Sequence, residues 1–394
     1  RMLTAKRARS LEAGLRAEGL RGAALYYDCW TDDARLTLET ILAAHQEGAS
    51  VANYLELEAF SKEGGRIVGA VVRDRFHASP IEIRARCVVN ATGPWADKVR
   101  RMDDSTAKPC LRLTKGTHII VPRRRLGIVH AVVLHSPRDQ RVLFAIPWGE
   151  HTLIGTTDTD FDGSLDDVRP DREDFDYLLD AANWFFPRAR LRIEDIVGSY
   201  AGLRPLVADD DAKDPSAVSR EEVILESPSG LITLAGGKLT TYRLVAKEMV
   251  DLVMKRLGTG RTGKGSPCTT GIKPLPGGLS GSADEILKKI EPLNGCGLTM
   301  EQIRHLARRY GSRAQDVIAL IQRDGNLKQP LVPGMPDIWA QAVYSTLSEM
   351  AVHPEDILMR RTQIGVKDPI EAAQVIELLR KTLNLPPGGT AKCS

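Results

Sequence analysis

The chain has 394 residues, enough for two or three domains of roughly 100 to 200 residues each and for a sizeable buried core. Its 54 Lys and Arg against 51 Asp and Glu leave a formal charge of +3, too balanced for a nucleic-acid protein by net charge, so any basic site is local. The six cysteines (Cys29, Cys87, Cys110, Cys268, Cys296, Cys393) form no C-x-x-C pair and no metal spacing with histidine, which reads as free thiols in a reducing compartment; no run of about 18 apolar residues and no signal-peptide pattern is present.

Residues 1–22 carry Leu3, Leu11, Leu15 and Leu20 among many arginines and read as a short helical or irregular connection. Ala23 to Tyr27 reads as a strand, and Asp32 to Gln46 as an amphipathic helix capped by Thr31 or Asp32. From Ala49 to Thr92 the pattern is a meander, with strands near 51–60, 66–74 and 81–90 and a turn at Lys62–Gly65; the first and last are expected to join a nucleotide-binding sheet. The last strand ends in Val88, Val89 and Asn90 and runs into Ala91, Thr92, Gly93 and Pro94. Strand, small residues and helix in that order suit the close approach of a phosphate or cofactor. Leu111 to Asp158 is strand-rich and predicts a second, antiparallel sheet. A helix is expected at about Arg172 to Phe186, ending at Pro187, after which Ile193 to Gly202 leads back toward the site.

Leu231 to Ala235 alternates as a strand and runs into Gly236 and Gly237, then Lys238 and paired threonines, with a helix expected from Lys238 onward. Two glycines permit positive φ and close approach, the next amides attract negative charge, and Lys238 adds a full positive charge. Gly258–Pro267 and Lys273–Ser282 are rich in Gly, Pro and Ser and mark a linker. Beyond it the pattern is helical. Thr299 caps one helix that Gly311 ends, Ser312 caps the next, and Asp368 with Pro369 starts the last. The acidic run Asp209–Asp211 reads as a solvated loop rather than a metal site, and no metal is required.

Read together, VVNATGPWA (Val88–Ala96) and AGGKLTTYR (Ala235–Arg243) resemble the FAD-dependent glycerol-3-phosphate dehydrogenases. The resemblance continues through YYDCWTDDARL (Tyr26–Leu36), KGTHIIVP (Lys115–Pro122), IPWGEHTLIGTTDTD (Ile146–Asp160), YAGLRPLVADD (Tyr200–Asp210) and DILMRRTQIG (Asp356–Gly365), in one order along the chain. It implies an α/β (α+β) fold: a Rossmann-like FAD-binding domain of the glutathione-reductase and D-amino-acid-oxidase type, an antiparallel-sheet substrate domain and an all-α C-terminal domain. The expected divisions are 1–110 with 222–260 for FAD, 111–221 for substrate, 261–282 for the linker and 283–394 for the helical domain. No G-x-G-x-x-G followed by a helix occurs, and in the family that fingerprint and a His-Gly-Gly-rich segment lie upstream of the block matching Tyr26. The chain therefore reads as the C-terminal part of a longer polypeptide, about 120 residues short. The helical region has no D-x-D-x-D-G loop, so the calcium-binding extension of mitochondrial relatives is not expected there.

The resemblance implies oxidation of sn-glycerol 3-phosphate to dihydroxyacetone phosphate, with FAD as cofactor and a quinone as electron acceptor. It places the protein in the cytoplasm, in peripheral contact with the inner membrane, with no nucleic-acid partner, and leaves a homodimer open. His118 is implied as proton acceptor. Arg204 and Arg220 are implied as substrate ligands, Arg204 close enough to C2 to act in catalysis, because a planar guanidinium binds phosphate bidentately. Lys238 is expected at the flavin N1 and C2-carbonyl region, facing the substrate, with Gly236, Gly237, Leu239 and Thr240 beside it; Ala91, Thr92 and Gly93 border the FAD pyrophosphate or ribityl. Two alternatives stay open: an oxidase that hands electrons to oxygen, and a non-catalytic regulatory homologue that keeps the fold.

Overall fold

The computed structural model describes residues 1–77, 79–208, 221–258, 267–279, 281–291 and 295–386. At the N-terminus β1 (Met2–Thr4) leads into α1 (Ala5–Leu11), whose first turn is capped by the Thr4 hydroxyl accepting from the Arg7 amide. β2 (Gly22–Ala24) returns antiparallel to β1. This strand is shorter than expected: Ala24 is its last residue paired with β1, and Tyr26 and Tyr27 are exposed. α2 (Asp33–Gln46) starts where the sequence predicts, with the Asp32 carboxylate accepting from the Arg35 amide at 3.0 Å.

The meander corrects one expectation. β3 (Leu55–Glu63), β4 (Arg66–Asp74) and β5 (Pro80–Arg84) form a separate three-stranded antiparallel sheet, so the first strand does not join the nucleotide-binding sheet. The reason is local. Glu63 pairs with Arg66 across Gly64 and Gly65, both at positive φ, a two-residue turn whose twist closes β3 directly onto β4. The stretch 81–90 then splits, and only β6 (Val88–Asn90) goes to the other sheet, where it lies parallel to β14 (Leu231–Gly236), itself antiparallel to β13 (Glu222–Glu226). β14 is buried on both faces, as a central parallel strand should be. α3 (Ala96–Asp103) follows β6.

The expected antiparallel sheet is present. It contains β7 (Leu111–Pro122), β8 (Val132–His135), β9 (Val142–Trp148), β10 (His151–Gly155), β11 (Thr159–Asp160) and β12 (Gly198–Val207), in the order β11-β7-β10-β9-β8, with β12 on the far edge of β7. The short α4 (Arg123–Leu126) caps one end and α5 (Arg172–Phe185) covers one face. Ile119, Val121, Leu143, Ala145 and Ile154 close on Leu178, Leu179, Ala182 and Phe186 in the sheet's core. Asp171 and Asp174 box the start of α5, and the same carboxylates hold Lys115 and Thr117 of β7, with Lys115 Nζ 2.8 Å from Asp174.

α6 (Tyr242–Arg256) begins four residues later than predicted, because Leu239–Thr241 forms a 3₁₀ turn with Lys238 at its N-cap. The C-terminal region is helical: α7 (Ala283–Ile290), α8 (Met300–Tyr310), α9 (Ala314–Arg323), α10 (Trp339–Ser348), a π-helical turn at Asp356–Arg361, α11 (Ile364–Lys367) and α12 (Pro369–Leu383). Thr299 caps α8 and Asp368 caps α12 as expected. Ser312 does not cap α9; it sits inside the 3₁₀ turn Gly311–Arg313 and its hydroxyl donates to the Pro276 carbonyl at 2.8 Å.

Polar contacts fasten this helical region to the rest. Arg35 of α2 donates to both carboxylate oxygens of Glu349 at 2.5 and 3.3 Å, with its guanidinium 4.6 Å from the Tyr310 ring centroid. Arg309 faces Asp32 at 3.4 Å, and the Tyr54 hydroxyl bonds Asp356 at 2.8 Å. Gly198 lies against α11, where a Cβ would stand 2.3 Å from the Val366 carbonyl oxygen. Because Glu349 is fully buried, Arg35→Met leaves it, among the described residues, beside only the more distant Arg361 at 3.9 Å and should cost about 3–5 kcal/mol in urea unfolding. Arg35→Met/Glu349→Met should recover more than half of that loss; a double variant no better than the single refutes the account.

Candidate functional site

Pairing between β7 and β12 builds the site's first half. The register sets Tyr200 opposite His118, Gly202 opposite Gly116 and Arg204 opposite Thr114, so all six share one face of the sheet, while Lys115 and Thr117 alternate to the face covered by α5. Gly155 of β10 flanks His118 on the other side. Three of these positions are glycines, which leaves a floor without side chains. A Cβ on Gly116 would stand 2.6 Å from an Arg204 guanidinium nitrogen, and one on Gly155 would stand 2.1 Å from His118 Cδ2. The Arg204 guanidinium therefore lies directly over Gly116, donating to the Thr157 carbonyl, the Asp158 carboxylate and the Thr156 hydroxyl, each at 3.2 Å.

His118 is held by packing rather than by hydrogen bonds. Its ring stacks on Tyr200, with centroids 4.8 Å apart and planes 12° from parallel, and its Nδ1 is buried without a partner. Burial, and secondarily the charge of Arg204, push the imidazole down to about 4. Burial also pushes the Tyr200 phenol up to about 12, helped by the negative charge of Asp33.

The second half is the pair of turns that leave parallel β6 and β14 at their carboxyl ends, the side of an α/β sheet on which ligands bind. Gly236 and Gly237 have φ of 78° and 95°, and a Cβ on Gly236 would meet the Glu221 carbonyl at 2.6 Å and Val207 at 2.7 Å. Lys238, Leu239 and Thr240 are exposed, and among the described residues Lys238 Nζ has no carboxylate within 4 Å. Ala91 and Thr92 are exposed in the neighbouring turn and Gly93 has φ of 57°. Asn90 fixes that turn: buried, it donates to the Ala96 carbonyl at 3.0 Å and to the Thr233 hydroxyl at 3.3 Å, and accepts from the Thr92 hydroxyl at 2.7 Å. Open glycine backbone at strand ends beside an exposed ammonium fits one side of an electron-rich ring system such as a flavin.

β12 joins the halves, since Val207 packs against Gly236 and lies about 10 Å along the strand from Arg204. Arg220 lies outside the described residues, as does the acidic run Asp209–Asp211. Tyr200, Asn90, Gly155 and Asp158 carried no signal of their own in the sequence. Asp158 opens the segment DTDFDG (Asp158–Gly163), which matches the first half of a calcium loop, yet Arg169 stands where that loop needs its glutamate. Asp158 instead pairs with Arg204 and Asp160 with Arg112 at 2.7 Å.

The imidazole environment sets a titration test. The unfolded chain binds a proton near pH ~6.5 that the folded chain refuses until about 4, so His118 makes the fold less stable as pH falls through that window. In a histidine-labelled NMR titration His118 should remain neutral through pH ~6, and Arg204→Gln should raise its midpoint by removing a positive charge. A midpoint near 6.5 in the wild type would refute the buried placement.

Comparison with known proteins agrees with this architecture. Residues 1–252 match the FAD dependent oxidoreductase family, and residues 268–385 match the C-terminal domain of alpha-glycerophosphate oxidase. The chain is 38% identical to the aerobic glycerol-3-phosphate dehydrogenase of Staphylococcus haemolyticus, covering 98% of this chain and 70% of that protein. It is 36% identical to the enzyme of the same name from Staphylococcus aureus, with the same coverage. The crystal structure of the glycerol-3-phosphate dehydrogenase from Bacillus halodurans complexed with FAD superposes with a TM-score of 0.85 at 35% identity, over 98% of this chain and 76% of that one. Matched by the family over residues 1–252 and 36–38% identical to these relatives over 98% of its length, this chain belongs to the FAD-dependent oxidoreductases, in the family of the aerobic glycerol-3-phosphate dehydrogenases.

Proposed function

We propose that the holoenzyme oxidises sn-glycerol 3-phosphate to dihydroxyacetone phosphate, transferring hydride from C2 to FAD and passing the electrons on to a membrane quinone. The observation that carries this reading is the placement of Arg204 of β12 and His118 of β7 over one glycine floor, with β12 running on to the Gly236–Gly237 turn. FAD, when bound, supplies the two-electron acceptor. The chain's own residues supply the rest. Arg204 presents a fixed, permanently charged fork to the substrate. His118 is neutral at pH ~7 and free to accept the C2 hydroxyl proton, and a phosphate dianion beside Arg204 offsets the positive charge that depresses it. Arg220 takes the outer end of the phosphate. Lys238 favours negative charge at the N1 and C2-carbonyl side of the ring, Gly236, Gly237, Leu239 and Thr240 line it, and Ala91, Thr92 and Gly93 border the pyrophosphate or ribityl.

No described helix is long and apolar enough to cross a membrane. The proposed membrane quinone acceptor implies contact of the holoenzyme with the inner-membrane surface, here read as being from the cytoplasmic side. Oxygen uptake measured against quinone or dye reduction by the holoenzyme separates this reading from an oxidase.

Stopped-flow bleaching of the flavin by glycerol 3-phosphate and by glycerol separates the roles. Arg220→Ala should weaken glycerol 3-phosphate strongly and spare glycerol. Arg204→Ala should slow reduction at saturating substrate by about 30-fold to 1,000-fold, a loss of roughly 2–4 kcal/mol. Lys238→Met should lower the flavin potential and the turnover together. Equal losses on both substrates for Arg220→Ala, a wild-type limiting rate for Arg204→Ala, or an unmoved potential for Lys238→Met each refute the corresponding assignment.

A further inference from the structure

His118 receives none of the support that usually orients a functional histidine. Among the described residues no carboxylate or carbonyl accepts from its ring, and Nδ1 is buried without a partner, whereas Nε2 is not so sealed. A free χ2 rotation would carry either nitrogen toward the floor, and the ring's position would be undefined. Two surfaces prevent this. On the β12 side the Tyr200 ring lies nearly parallel to the imidazole at stacking distance. On the β10 side the backbone of Gly155 is so close that a methyl group there would overlap Cδ2 and come within 2.7 Å of Cγ and Nε2. The imidazole is a plate in a slot, with an aromatic face on one wall and bare backbone on the other. Tyr200 is itself fixed as the register partner of His118 and lies in the field of Asp33, at the first turn of α2.

We propose that Tyr200 is a positioning residue for the reaction: its ring face, backed across the slot by Gly155, sets the plane of His118 so that Nε2 meets the substrate hydroxyl while Nδ1 stays buried. The role belongs to the aromatic face and not to the phenol. Misplacing a proton acceptor by about 1 Å costs on the order of 100-fold, so the slot carries rate without touching substrate. This inference rests on the reading of His118 as proton acceptor.

The test uses the holoenzyme for kinetics and the histidine-labelled chain for NMR. Tyr200→Leu should slow limiting flavin reduction by glycerol 3-phosphate about 10-fold to 100-fold, with the apparent Kd changed less than about threefold. It should also raise the His118 midpoint by about one pH unit, as water reaches Nδ1. Tyr200→Phe should restore both to within about twofold and a few tenths of a unit. Gly155→Ala, which presses the ring from the opposite wall, should reproduce the Leu signature and takes its place if Tyr200→Leu fails to fold. A wild-type limiting rate in Tyr200→Leu overturns the proposal, as does Tyr200→Phe falling as far as Leu, or Gly155→Ala leaving rate and titration unmoved. His118→Gln, run alongside, separates the two levels. Full activity in that variant refutes the proton-acceptor reading, and the titration arms then decide whether Tyr200 fixes the ring.

Discussion

The ladder between β7 and β12 is the constraint on which the rest of the structure depends. Because side chains alternate faces with a period of two, this register puts His118, Tyr200 and Arg204 together, and a slip by one residue would turn one strand's members to the α5 side. Polar anchors hold the register as well as apolar ones. Lys115 and Thr117 are tied to Asp174, a carboxylate that also closes the first turn of α5, so helix start and strand register are decided by one buried group. The glycines at 116 and 155 leave room on the opposite face for the guanidinium and the imidazole, which a Cβ at either position would overlap.

The helical C-terminal region is tied into this arrangement through α2. Arg35 and Asp32 belong to the first turn and cap of that helix, and their partners are Glu349 and Arg309. Asp33, between them in sequence, is the acidic group felt by Tyr200. Lys367 adds to the same junction, its ammonium 4.7 Å from the Trp148 ring centroid and its basicity lowered by burial and by Arg309.

Much of the plan was legible in the sequence because it is written in local terms. The caps at Asp32, Thr299 and Asp368, the antiparallel sheet from Leu111 and the glycine turns after Asn90 and Ala235 each rest on a short pattern with one physical solution. The meander is present as β3, β4 and β5, and what failed is the placing of its first strand in the nucleotide-binding sheet, because the Gly64–Gly65 turn closes β3 onto β4. Ser312 failed because a tertiary acceptor, the Pro276 carbonyl, outcompeted the helix amides for its hydroxyl. Tyr200 and Gly155 were illegible for another reason. Stacking across two strands is a property of register, and nothing in either strand's own composition encodes it.

Gly198, at the start of β12, sets a mechanical condition. Its Cα rests on the Val366 carbonyl of α11, backbone against backbone, and at the far end of the same strand the β-branched Val207 fills the space that Gly236 leaves open. Neither end has a flexible side chain to absorb a displacement. With the ladder to β7 holding the strand between these two contacts, the place of Arg204 over Gly116 is set by packing at both ends of β12 as well as by its register.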